Sequence, residues 1–156
     1  MEKSKNIALV AHDNRKKDML EWVEYNRDNL LNHNIICTGT TGKLIEKFFL
    51  DNSNSKTSKN INIKKLKSGP LGGDQQLGAM IVDGLVDLLV FFWDPMQPQP
   101  HDVDVKALLR ISVLYNLPTA CNRSTADFMV SSKLFNEKYD LKHQDLDDYL
   151  NRDIDV

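Results

Sequence analysis

Five short apolar runs separated by helix-like stretches constrain this chain more than any other feature. "IALVA" at 7–11, "NIICT" at 34–38, "INIKKL" at 61–66, "DLLVFF" at 87–92 and "PTACN" at 118–122 all have the length of strands. Several are continuous rather than alternating, as expected for strands buried on both faces. The intervals between them carry helical spacing. Asp13 is placed to cap a helix reaching about Leu31, with Met19, Trp22, Val23 and Leu30 along one side. "TGKLIEKFF" and "DQQLGAMIVDG" read as shorter helices, the second closed by Gly84. "DVDVKALLRISVLYN" brings Val105, Leu108, Leu109 and Ser112 to one face, and "STADFMV" offers a capped start after the last strand. Strand alternating with helix predicts an α/β fold of three layers, a doubly wound, mostly parallel five-stranded sheet.

The 156 residues suit a single domain spanning 1–156. One segment breaks the rhythm: "DNSNSKTSKN" at 51–60 is nearly free of apolar residues and reads as a polar surface insertion. A net charge of -2 gives no footprint for nucleic acid. No apolar stretch approaches the roughly 20 residues of a membrane-spanning helix. The opening "MEKSKNIALVAHDN" has no signal-peptide core, and Cys37 and Cys121 are too isolated for a disulfide framework. A cytoplasmic protein with both thiols reduced is the expectation.

Ligands of open α/β sheets bind beyond the carboxyl ends of the strands. Here those ends read "HDNRKK", "TGTTGK", "SGPLGGD", "WDPMQPQPHDVD" and "NRSTAD", a polar and Gly/Pro-rich set. "TGTTG" and "SG" offer close backbone N–H groups and hydroxyls for an anion, and Lys16 can neutralise it. Each stretch alone fits ordinary capping by Thr38, Thr40 and Thr41 or a turn begun at Ser68. Together at one edge they point to phosphate. Neither matches a P-loop or G-x-G-x-x-G, so nucleotide binding is disfavoured.

Asp74, Asp94, His101 and Asp104 are the acid–base candidates. Asp74 opens a helix, where it is either an N-cap or a base, and the helix N-terminus favours its anion. His101 follows Pro98 and Pro100, and can polarise a carbonyl or move protons unless it is a simple loop histidine. Asp102 and Asp104 can cap the helix that carries Arg110, and Asp102 reads better as a cap. Arg110 fits a salt bridge or a subunit contact. His33 and His143 read as solvated, and Trp22 and Trp93 as core or interface. No pair of His, Cys or Asp falls at familiar ligand spacing, so no metal is expected.

Taken together, "LVAHDNRKKDM", "TGTTGKLI", "SGPLGGDQQLGAMI", "FFWDPMQPQPHDVDVKALLR" and "NRSTADF" resemble the methylglyoxal synthase family, in order from about residue 7 to residue 130. The resemblance implies a Rossmann-like sheet topology and a carbon–oxygen lyase. Its reaction converts dihydroxyacetone phosphate to methylglyoxal and inorganic phosphate through an enediolate, with no metal or organic cofactor. It implies a homohexamer inhibited by phosphate. It makes Asp74 the catalytic base, His101 the electrophilic and proton-transfer partner, and Asp104 an assisting acid. Phosphate falls to Lys16, Thr38, Gly39, Thr40, Thr41, Ser68 and Gly69, with His12 lining the site. Val103 departs from the family, standing where proline is common, and Arg152 is a candidate subunit contact. Two other readings stay open. A phosphate-sensing regulatory module of the same fold needs the loops but neither Asp74 nor His101, and a scaffold would use 51–60 to recruit a partner.

Overall fold

The computed structural model describes residues 1–51, 61–98 and 100–142, with Asp145, Tyr149 and Asn151 beyond them. The expected insertion at 51–60, apart from Asp51, lies outside the described residues, as do His143 and Arg152. Five parallel strands form one sheet in the order β3-β2-β1-β4-β5: β1 Asn6–Ala11, β2 Asn34–Cys37, β3 Asn62–Lys65, β4 Leu88–Phe92 and β5 Thr119–Ala120. The chain winds outward from β1 to β3, then crosses back to β4 and winds the other way. That reversal beside β1 is the position at which open α/β sheets hold ligands.

Both faces of the sheet are covered, which is why the strand sequences are continuous. Ile7, Leu9 and Ala11 join Val90 and Phe92 on one face and pack against α1 (Lys16–Tyr25), α3 (Gly39–Asp51) and α6 (Arg123–Ser131) through Met19, Trp22, Ile45 and Ala126. Ala8, Val10, Leu89 and Phe91 point to the other face, against Leu77 and Ile81 of α4 (Gly73–Val82) and Val105 and Leu108 of α5 (Asp102–Leu114). The α5 face is as expected, with Val105, Leu108 and Ser112 buried and Leu109 partly so. Trp22 is core, its Nε1–H donating to Asp127 Oδ1 at 2.9 Å, while Trp93 packs partly buried on the opposite face.

Several local expectations need correcting. The helix from Asp13 to Leu31 is three pieces: a 3-10 turn at Asp13–Arg15, then α1, then α2 at Arg27–Leu30. Asp13 makes no capping bond, and its carboxylate instead pairs with Lys16. Buried Asn26 stands at the second break, where both its main-chain N–H, at 3.0 Å, and its side-chain Nδ2, at 2.9 Å, donate to the Trp22 carbonyl. Gly84 does close α4: it adopts φ 68°, its N–H donates to Ile81 O and Leu85 N–H reaches Met80 O. Asn116 ends α5 in the same way at φ 51°. The cap of α6 is Asn122, which was expected to end β5 and instead accepts from Thr125 N–H at 3.0 Å.

At the amino ends of the strands three asparagines stand in register. Asn34 Nδ2 donates to Asn6 Oδ1 and Asn62 Nδ2 donates to Asn34 Oδ1, both at 2.9 Å. Asn6 Nδ2 donates in turn to Leu85 O at 3.1 Å.

His33, expected to be solvated, is buried. It packs edge-on against Phe135, and its Nδ1 accepts the Lys5 N–H at 3.1 Å. Burial lowers its pKa below the ordinary 6.5. Its contribution to stability is therefore complete above that unfolded value and is lost as pH falls through it toward the folded one. The melting temperature is expected to drop between about pH 7.5 and about pH 5.5, and a His33→Gln variant is expected to show a flatter slope.

Candidate active site

Each strand delivers its following loop to the carboxyl edge, and two of those loops are knitted together by main-chain bonds. Gly39 N–H donates to Lys67 O at 3.0 Å and Leu66 N–H to Cys37 O at 2.8 Å, joining the ends of β2 and β3. The Ser68 carbonyl accepts from Leu71 N–H at 3.0 Å and Gly73 N–H at 2.9 Å, curling 68–73 into a tight turn. Gly72 sits in this turn at φ 94°, a conformation that costs any L side chain. The turn feeds directly into α4, so Asp74 is the second residue of the helix and not its cap, which is Gly72.

Gly73, at the end of the turn, is fixed by crowding against main chain. A Cβ on Gly73 would lie 2.1 Å from Lys67 O, a main-chain atom that cannot step aside. Gly73→Ala is expected to destabilise the protein by about 1–3 kcal/mol. Gly78, in the same helix with nothing within 4 Å of a built Cβ, is the control. Gly78→Ala is expected to stabilise by about 0.5–1 kcal/mol. Urea unfolding of the two variants checks both signs.

A cavity of about 230 Å³ opens at this edge, lined by His12, Lys16, Thr38, Thr40, Thr41, Ser68, Gly69, Asp74 and His101, with Val10 and Phe91 at its floor. Nine of the eleven expected site residues, far apart in sequence, therefore meet in one place. Gly39 and Asp104 do not line it. Gly39 sits just behind, where a Cβ would meet Leu66 O and Ser68 N at 3.1 Å, so its smallness lets the β2 and β3 ends approach. Asp104 lines a separate groove between α4 and α5 that touches Asp74 from the far side.

Asp74 and His101 face each other across Gly69. His101 Nε2 lies 3.6 Å from Asp74 Oδ2, too long for a hydrogen bond. Asp74 is buried, and burial is the largest influence on its carboxyl, raising its pKa; His101 pulls it down and Asp104 adds to the rise. The helix N-terminus alone suggested the opposite direction. The outcome is a carboxylate poorly solvated and correspondingly basic.

His12, at the end of β1, is also buried, and burial holds its pKa below 6.5. Its Nδ1 accepts Asp94 N–H at 3.2 Å, which leaves the proton of the neutral ring on Nε2. The carboxylate of Asp94 turns away, accepting Asn14 Nδ2 and Met96 N–H at 3.0 Å each. His101 begins α5 as its cap residue, with Asp104 N–H donating to its carbonyl; neither Asp102 nor Asp104 caps the helix by a side-chain bond. Arg110 is exposed on the same helix. Among the described residues no group of three or more His, Cys, Asp or Glu could hold a metal ion.

Buried polar atoms in proteins almost always find partners. In this cavity four do not: His12 Nε2, Thr41 Oγ1, Asp74 Oδ2 and His101 Nδ1. Hydroxyls, imidazoles, one ammonium group and the amino ends of α3 and α4 converge on a space for a small anion.

The MGS-like domain family matches residues 18–121. A methylglyoxal synthase of Maridesulfovibrio salexigens is 56% identical over 155 residues, covering 97% of this chain and 99% of that protein. The chain belongs to the methylglyoxal synthase family. A second methylglyoxal synthase, from Hahella chejuensis, is 52% identical over 149 residues, covering 96% of this chain and 90% of its own length. The crystal structure of the methylglyoxal synthase of Elizabethkingia anophelis NUHP1 superimposes with a TM-score of 0.88 at 47% identity, covering 99% of this chain and 95% of that one. Membership of the methylglyoxal synthase family makes the protein a lyase and bears out the doubly wound parallel sheet. Sequence reading passed over Asn14 as part of the site and left the role of Asp94 open. The bonds that tie both to His12 span about 80 positions of chain, as the separations of 80 and 82 residues record.

Proposed function

We propose that Asp74 is the base with which this lyase converts dihydroxyacetone phosphate to methylglyoxal and inorganic phosphate. The observation that carries the assignment is the approach of His101 Nε2 to within 3.6 Å of the buried, unpartnered Asp74 Oδ2 beside the side-chain-free Gly69. Asp74 removes a proton from the carbon beside the carbonyl. The electron pair moves onto the carbonyl oxygen, where His101 and the Nε2–H of neutral His12 stabilise the charge. The enediolate then expels the phosphate ester group, its C–O electrons leaving with phosphate, while the hydroxyl proton on the deprotonated carbon passes through His101 to the former carbonyl oxygen. The resulting enol tautomerises to methylglyoxal by taking a proton at its terminal carbon.

Phosphate is held by Lys16, Thr38, Thr40, Thr41 and Ser68, with the Gly39 and Gly69 main chain shaping the cradle. A desolvated carboxylate gains basicity, and rigid loops keep the breaking bond across the enediolate plane, favouring elimination over return of the proton. Asp104 takes no direct part in this reading; its negative charge sits behind Asp74 and opposes ionisation there.

A homohexamer, inhibition by free phosphate and a cytoplasmic setting belong to the same proposal. Exposed Leu71, Met96, Val103 and Val113 supply apolar surface for subunit contacts. The regulatory-module reading has no observation in its favour, since it leaves Asp74 and His101 without work. Purified protein given dihydroxyacetone phosphate is expected to release methylglyoxal and phosphate in equal amounts, with turnover falling as phosphate is added. Binding of phosphate without turnover would restore the regulatory reading.

A further inference from the structure

The loop after β4 carries His101 at its far end, and the turn after β1 carries His12 at its start. Asn14 is the residue that ties them. Its Nδ2 donates to Asp94 Oδ2 at 3.0 Å and to Gln97 Oε1 at 2.6 Å. The orientation of the amide is unambiguous at Asp94, because an ionised carboxylate can only accept. Asp94 Oδ1 meanwhile accepts Met96 N–H, so the carboxylate is held at both oxygens and its own main-chain N–H is aimed at His12 Nδ1, 3.2 Å away. An N–H donor there excludes a proton on Nδ1. The ring must then keep its proton on Nε2, a buried cavity atom without a partner.

We propose that Asn14 is a positioning residue: by clamping Asp94 and Gln97 to the turn after β1, it fixes His12 in the tautomer that presents Nε2–H to the substrate. The inference rests on the catalytic reading above, in which that N–H meets developing negative charge on oxygen. Asn14 is exposed and touches no part of the cavity, so it acts only through Asp94. Asn14→Asp removes the donor and sets two carboxylates against each other; Asn14→Ala removes the donor alone. Asn14 is on the surface, and neither change disturbs the core.

Two-bond ¹H–¹⁵N correlation spectra of ¹⁵N-labelled protein at neutral pH distinguish the imidazole tautomers, with the His12 signals assigned by their loss in His12→Gln. The native protein is expected to show the Nε2–H pattern. Both Asn14 variants are expected to show a mixture with the Nδ1–H form, and a kcat lowered roughly 10-fold with KM nearly unchanged. An Nδ1–H form in the native protein overturns the proposal. So does an unchanged tautomer in both variants, whatever their activity, or a changed tautomer with unchanged kcat. Failure of the catalytic reading would show separately, as turnover retained when Asp74 is replaced, and leaves the tautomer measurement readable.

Discussion

Asp74→Asn is expected to lower methylglyoxal formation by about 10²–10⁴-fold while a bound phosphate ester is retained. The substitution keeps the shape of the side chain at the second position of α4 and removes only its capacity to take a proton. The side chains proposed to hold phosphate, on Lys16, Thr38, Thr40, Thr41 and Ser68, are left unchanged. Stability gives an independent reading of the same residue. Burial raises the Asp74 pKa in the folded state above its unfolded value. For a carboxyl shifted in that direction, stability is present below the unfolded pKa and lost as pH rises through the folded one. The native protein thus bears a cost at neutral pH that asparagine does not. Asp74→Asn is expected to melt at a higher temperature at neutral pH, with the gap closing as pH falls toward the carboxylate range. For the native enzyme, the acid limb of kcat/KM is expected above the ordinary carboxylate value of 3.8. A variant that still turns over at the native rate would remove Asp74 from the chemistry.

Gly69→Ala is expected to lower kcat/KM by at least roughly 10²-fold with little loss of fold. A Cβ at this position would sit 2.8 Å from His101 Nε2 and 3.0 Å from Asp74 Oδ2, in contact at once with both groups proposed to act on the substrate. These are side-chain atoms, so the protein can relieve the crowding by moving them, and what it surrenders is their alignment. Gly73→Ala is the contrasting case, since it presses on main chain and acts on stability. The comparison of the two by melting temperature and turnover separates a glycine kept for chemistry from one kept for packing. Near-native turnover in Gly69→Ala would mean that the substrate approaches Asp74 from elsewhere.

The sheet was legible because β1 beyond Asn6 and all of β4 are buried and apolar, with no polar position to obscure them. The cavity was legible because strand ends in such a sheet meet at one edge, so His12, Thr38, Ser68 and His101 needed only their strands to be recognised. What escaped depends on contacts across the fold. Nothing in the polar run around Asn26 announces that tertiary packing will bury it between two helices. His33 looks polar among its neighbours, yet Phe135 closes over it from far along the chain. Asp104 is close to His101 in sequence, but one helical turn carries it to the other side of Asp74. The direction of the Asp74 shift was misjudged because a helix end is visible in sequence and burial is not.

The asparagine row at the start of the sheet bears on the cavity at its opposite end. Parallel neighbours have no tight hairpin to index them, and β3 lacks the alternative, a strongly apolar face: Asn62, Lys64 and Lys65 are exposed and Ile63 only half-buried. Slippage by one position would carry Ser68 and Gly69 about 3.3 Å along the strand, away from His101 and the threonine hydroxyls. The amide of Asn62, hooked to Asn34, works as a detent against that misalignment. If the proposed site residues are right, a carboxamide at the far end of an edge strand helps, with the main-chain ladder, to keep them in line, well away from any reacting atom.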